Sequence, residues 1–343
     1  MSPESLIIFR LGSIGDTVVA LPCFRAIART FPHHHRVLLT NGLASPRASS
    51  VESVLSGTGL IHEVVYYPVG GAAGRKFAAL FLALRRRRVR TLVYLQPRPA
   101  LLPVLRDVLF FRAAGITRII GAPWSADLRQ CRSDPHSGAL EFEAQRLART
   151  LRPAMDVPLA ADEFALQLTD PELASATTHL RALAGVTGTL SAAPMAIAAG
   201  AKVPLKDWGE SNWAALIARL TTRNTGALVF VGAADEWALA ERLAAHWPGP
   251  ALNLCGRLTP RETAAVLGRC ALLACHDSGP MHLAASQGTP CVALFGNLDR
   301  PRRWFPYGAR HRVIYESSGV RNISVAQVLD AIDALRRETA PAS

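Results

Sequence analysis

An α/β fold in two doubly wound domains is predicted by three observations. Short apolar or β-branched runs alternate along the chain with longer segments whose apolar residues recur at helical spacing. The alternation breaks once, between residues 153 and 171, where Pro153, Pro158 and Pro171 bracket a short FALQL run. It then restarts in the same sense. Such alternation implies parallel strands joined by right-handed crossovers. A chain of 343 residues, half of them hydrophobic, suits two cores, at roughly 150 residues per domain.

Taken in order, Leu6 to Phe9 reads as a first strand. Asp16 to Thr30 reads as a helix, with Val19, Ala20, Cys23 and Ile27 on its apolar face. Further strands are expected at 36–40, 63–68, 91–96 and 118–122, and helices at 47–56, 75–88, 99–114 and 141–152. Past the break, the strands are PMAIAAG, ALVFVG, LNLCG, ALLACHD and CVALFG, and the helices fall at 210–223, 235–246, 260–268 and 279–287. The expected domains are 1–168 and 169–323, with a last helix in 324–343 packing back on the first domain.

The net charge of +12 favours anionic partners: nucleic acid, anionic lipid or phosphorylated substrates. Six cysteines, at 23, 131, 255, 270, 275 and 291, include no C-x-x-C pair, which fits buried reduced thiols in the cytosol. Before Arg10 the apolar run is four residues, too short for the h-region of a signal peptide. The longest apolar stretch, FAALFLAL at 77–84, is about a third of a membrane span. A cytoplasmic protein is expected, touching the membrane from inside.

Open α/β sheets bind ligands beyond the carboxyl ends of their strands. After the first strand comes RLGSIGD, in which Gly12 and Gly15 permit a tight turn and Asp16 stands where the helix begins. Asp16 reads either as a plain N-cap or as a functional carboxylate. After ALLACHD come Asp277, Ser278 and Gly279, then His282 one turn into the helix. A helix N-terminus with a glycine suits an oxyanion, and His282 adds a donor; the bland alternative is a cap and a core histidine. Lys202 and Lys206 follow PMAIAAG, and Asp235 and Glu236 follow ALVFVG. Together these groups describe a nucleoside-diphosphate site: cations for the phosphates, a carboxylate for ribose hydroxyls.

Two segments, IIFRLGSIGDTVVALPCFRAIARTFP near one end and HDSGPMHLAASQGTPCVALFG near the other, with KDWGESNW and VGAADE between them, resemble the heptosyltransferase-type glycosyltransferases of lipopolysaccharide synthesis, glycosyltransferase family 9. The resemblance spans nearly the whole chain. It implies the GT-B fold, two Rossmann-like domains facing across a cleft, and inverting transfer of heptose from ADP-heptose to a lipid-linked core sugar, with no metal and no cofactor. By that likeness Asp16 is the general base and Lys206 balances the leaving diphosphate. Glu236 binds the ribose, Asp277 the sugar, and Ser278, Gly279 and His282 cradle the diphosphate. Gly15, Lys202 and Met281 complete the donor-binding set. Relatives often carry Thr or Ser upstream of the lysine matching Lys206, where this chain has Ala201 and Lys202. The added lysine either strengthens diphosphate binding or marks a differently shaped donor.

Two rivals belong beside this reading. One is a GT-B relative using UDP or GDP, such as a sugar-nucleotide epimerase. The other is a non-catalytic basic protein that uses the RRRRVR run at 85–90 to hold nucleic acid or anionic membrane. No aromatic-interleaved basic stripe is present, which disfavours nucleic acid. Arginines at a helix end are also favourable with its dipole.

Overall fold

The computed structural model describes residues 4–42, 51–68, 74–183, 192–223, 226–298 and 301–339. The chain divides into two units, Met1–Phe164 and Ala165–Ser343.

The first unit runs β1 (Ser5–Phe9), α1 (Ile14–Val19), α2 (Leu21–Thr30), β2 (His35–Asn41), α3 (Val51–Leu55), β3 (Glu63–Tyr67), α4 (Gly74–Arg87), β4 (Thr91–Tyr94), α5 (Leu101–Ala113), β5 (Arg118–Ile120), α6 (Ala126–Arg129) and α7 (Glu143–Leu151). Its five strands are parallel, in the order β3-β2-β1-β4-β5. The expected 16–30 helix is two helices. Pro22, in the first turn of α2, has no N–H to continue the ladder, and the chain breaks at Ala20 (φ −91°, ψ −1°). Residues 47–50 of the expected 47–56 helix lie outside the described residues.

The second unit runs α8 (Asp170–Arg181), β6 (Met195–Ala198), α9 (Glu210–Leu220), β7 (Leu228–Phe230), α10 (Trp237–Ala244), β8 (Ala251–Asn253), α11 (Pro260–Leu267), β9 (Leu272–His276), α12 (Gly279–Ser286), β10 (Cys291–Phe295), β11 (His311–Tyr315) and α13 (Val325–Thr339). Its six strands are again parallel, ordered β11-β10-β9-β6-β7-β8. Strands β6, β9 and β10 are buried along their whole length. That is why they read as unbroken apolar runs, as strands covered on both faces do.

In the first unit Phe9 meets Tyr67, Tyr94 and Phe111 at ring separations of 5.2, 5.3 and 5.1 Å, and burying such a ring contributes about 1.5–3 kcal/mol. The second core is built on Trp208 and Trp213, edge to face at 4.9 Å. Val328, Leu329, Ile332 and Leu335 of α13 belong to this second core. The apolar stripe of the last helix thus helps build the core of its own unit.

The FALQL segment is not a strand. Two of its carbonyls are taken by side chains, Leu166 by Gln287 Nε2 at 2.9 Å and Gln167 by Arg261 Nη2 at 2.7 Å.

Candidate active site

Each sheet has one place where the strand order reverses, and crevices at such places bind ligands in open α/β sheets. In the first unit it lies between β1 and β4, and in the second between β6 and β9. Residues singled out from the sequence lie at both.

In the first unit, the loop after β1 is held by its neighbours on both sides. Leu11 N–H donates to Gln96 Oε1 at 2.7 Å and Gly12 N–H to Asn41 Oδ1 at 2.8 Å. The N-cap of α1 is Ser13, not Asp16. Asp16 is the third residue of the helix, and its Oδ2 accepts the Ser13 N–H and hydroxyl, each at 2.8 Å. Arg10, fully buried, donates through Nη1 to the Leu95 carbonyl at 2.8 Å and through Nη2 to the Asp16 carbonyl at 2.9 Å. The same Nη2 lies 3.5 Å from Asp16 Oδ1. Burial pulls the Arg10 pKa down and the Asp16 charge opposes that. Asp16 is thus fixed in direction by a helix turn and a buried cation, with its side chain still 26% exposed. Gly12 is required for space: a Cβ there would lie 2.6 Å from Asp16 Cβ. Gly15, expected to open the turn, is instead the buried second residue of α1.

In the second unit three loops converge. Lys206, ending the short 3₁₀ turn Pro204–Lys206 after β6, forms an ion pair with Asp277, the first residue beyond β9. Ser278 caps α12 in extended conformation, and Pro280 in the first turn leaves Gly279 and Met281 as its N–H donors. Ser278 and Gly279 are half-buried. Met281 and His282 are buried in α12.

Glu236 closes the 3₁₀ turn after β7, its Oε2 accepting the Ala233 N–H at 3.0 Å. Burial raises its pKa, the neighbouring Asp235 adds to the rise, and Ala233 and Lys202 oppose it. The carboxylate lies against Gly200 and Gly232, where a Cβ would sit 2.0 Å from its Cδ and Oε2 respectively. It forms the polar wall of a small cleft otherwise lined by Ile197, Phe230, Leu239 and Cys255. Lys202 is exposed near it.

One residue that positions these loops escaped the sequence reading. His276, the last residue of β9 and fully buried, accepts the Trp208 N–H at Nε2 (2.9 Å) and places Nδ1 3.3 Å from the Gly200 carbonyl. Burial lowers its pKa to about 4, so the ring is neutral with its proton on Nδ1. It ties the loop carrying Lys206 to the strand carrying Asp277. A polar residue closing an otherwise apolar strand is the signal in the sequence.

The sequence profile of glycosyltransferase family 9 (heptosyltransferase) matches residues 109–324. The lipopolysaccharide core heptosyltransferase OpsX of Haemophilus influenzae is 22% identical over 324 residues, 91% of this chain and 84% of its own. Among solved structures, a family 9 glycosyltransferase from Veillonella parvula has a TM-score of 0.74 at 19% identity, covering 99% of each chain. E. coli heptosyltransferase WaaC, solved with ADP, has a TM-score of 0.67 at 16% identity, covering 97% of this chain and 100% of its own. The fold is the GT-B fold of these enzymes. With its profile matched over more than half its length, the chain belongs to glycosyltransferase family 9, the heptosyltransferases, and is a glycosyltransferase.

Proposed function

We propose that the protein moves heptose from ADP-heptose to a hydroxyl of a lipopolysaccharide core saccharide, with inversion and without a metal or other cofactor, at the cytoplasmic face of the inner membrane. The observation that carries this reading is the convergence of Lys206, Asp277 and the start of α12 at the reversal point of the second sheet. A fixed cation beside a helix N-terminus suits a diphosphate, and Glu236, desolvated in its cleft, gains from ribose hydroxyls as donors.

In the proposed reaction Asp16 accepts the proton of the acceptor hydroxyl as its oxygen attacks the anomeric carbon. The bond from that carbon to the diphosphate breaks, its electron pair passes to the phosphate oxygen, and Lys206 balances the developing charge. Asp277 accepts hydrogen bonds from the sugar. Lys202 adds positive charge on the nucleotide side. The ADP bound to WaaC supports the choice of nucleotide.

A thermal-shift comparison of ADP, UDP and GDP tests the donor class. Stabilisation by ADP alone is expected. Stabilisation by UDP or GDP in its place assigns the protein to a different sugar nucleotide.

A further inference from the structure

Helix α5 is apolar nearly all round, a pattern that normally marks a buried helix. Its inward side is fully engaged. Val104, Val108 and Phe111 enter the first core. The buried Asp107 is held by the Tyr94 hydroxyl at 2.8 Å, Arg98 Nε at 2.9 Å and Arg106 Nη2 at 2.7 Å. These bonds fix the rotation of the helix, and they turn a stripe of leucines at spacings of three and four outward. Leu102 is 75% exposed, Leu105 39% and Leu109 67%.

Helix α4 lies alongside. Phe77 and Phe81 each meet Phe110 at 6.0 Å, and Arg85 Nη1 donates to the Ala113 carbonyl at 3.3 Å. On α4 the residues Ala78, Ala79 and Leu82 are exposed, with Arg75 before them and Arg86 after, at the same helical spacing. Neither helix carries an exposed acid, since Asp107, the one acidic residue in either, is buried. The result is a patch of leucines rimmed by cations.

A contiguous exposed apolar patch marks an interaction site, and the rim selects its partner. In a two-fold pairing of copies the patch meets itself, which sets one acid-free rim of arginines against another. An anionic bilayer instead offers negative head groups to the rim and acyl chains to the leucines. We propose that the outward face of α4 and α5 is a membrane-docking surface, with Leu102, Leu105 and Leu109 entering the head-group and acyl boundary and Arg75 and Arg86 on lipid phosphates. Among the described residues no helix is long and apolar enough to cross a membrane. This surface names how the protein reaches the membrane of the proposed function, and it involves none of the groups assigned to the reaction.

The test is flotation of the full-length protein with vesicles of phosphatidylcholine, alone or mixed with phosphatidylglycerol, across a salt titration. Binding to the phosphatidylglycerol vesicles that weakens with salt is expected, falling roughly tenfold or more in Leu102→Ser/Leu109→Ser and also reduced in Arg86→Glu. The leucine variant is expected to keep the wild-type thermal shift with ADP, which shows that it is folded. Absence of wild-type binding to anionic vesicles, or equal binding by the leucine variant, overturns the proposal. So does a wild-type dimer, seen by light scattering, that the same substitutions dissolve. Failure of ADP to stabilise a wild-type protein that still floats would instead count against the nucleotide assignment and leave the docking surface standing.

Discussion

Lys206 and Asp277 form an ion pair linking the loop after β6 to the end of β9, so the cation assigned to the diphosphate is already neutralised by the carboxylate assigned to the sugar. Both groups are largely withdrawn from water, with side chains 27% and 11% exposed. In the proposed reaction a diphosphate competes with Asp277 for Lys206, which the pairing holds in place.

Removing the competitor separates the two roles. Asp277→Asn is expected to tighten ADP by roughly two- to fivefold, the scale of a partly exposed pair, while transfer slows. Isothermal titration with ADP and steady-state transfer assays on the same preparation check this. Weaker ADP binding in the variant would mean that Asp277 serves the lysine only as a support.

The His276 bridge makes a pH prediction. Its folded pKa of about 4 lies below the ordinary value of 6.5, so between these values the unfolded chain holds the extra proton. The contribution of the neutral ring is complete above pH 6.5 and is lost progressively as pH falls toward 4, amounting to about 3 kcal/mol across the window. His276→Gln should remove that part of the pH dependence. At pH 7 it should cost less than about 1 kcal/mol, because the glutamine amide oxygen takes over the Trp208 N–H from Nε2. Urea unfolding of both proteins at a series of pH values measures the difference, and parallel pH profiles would contradict it.

Glu236 is held at a cost to stability. Burial raises its pKa, so its charge costs more in the folded chain than in the unfolded one. Glu236→Gln is therefore expected to raise the melting temperature of the free protein while weakening ADP. Gly200→Ala, whose methyl group would displace the same carboxylate, is expected to weaken ADP similarly. Differential scanning fluorimetry with and without ADP reads both effects. Undiminished ADP binding in both variants removes Glu236 from the nucleotide site.

Gly12 tests the placement of the proposed base without touching its chemistry. Its added Cβ would press on Asp16 at 2.6 Å, forcing the carboxylate to shift. Gly12→Ala is expected to lower kcat by about 10- to 100-fold, as small misplacements of a reacting group do, with ADP binding unchanged. An unaltered kcat would show that the position of Asp16 is not limiting.

The buried strands were legible because burial on both faces leaves a continuous apolar run, as in MAIA and LLACH. Elements at the edge were not. Strand β11 is only half-buried along its length, and α8 buries just Ala176 and Leu180, so neither writes a strong apolar period into the sequence. The same limit applied within the site. Lys206, Glu236 and Asp277 were found because each follows a readable strand. The pairing of Lys206 with Asp277, the Ser13 cap and the bridging role of His276 depend on contacts between residues distant in sequence or on loop conformation, which periodicity does not record.

In the proposed reaction Asp16 removes the acceptor proton and takes no part in holding the donor. Asp16→Asn preserves shape beside the buried Arg10, and its transfer rate and ADP affinity can be measured on one folded preparation. The expected result is a kcat lower by about 10²- to 10⁴-fold with ADP affinity unchanged. Retained turnover, or loss of ADP binding in step with loss of transfer, would contradict it.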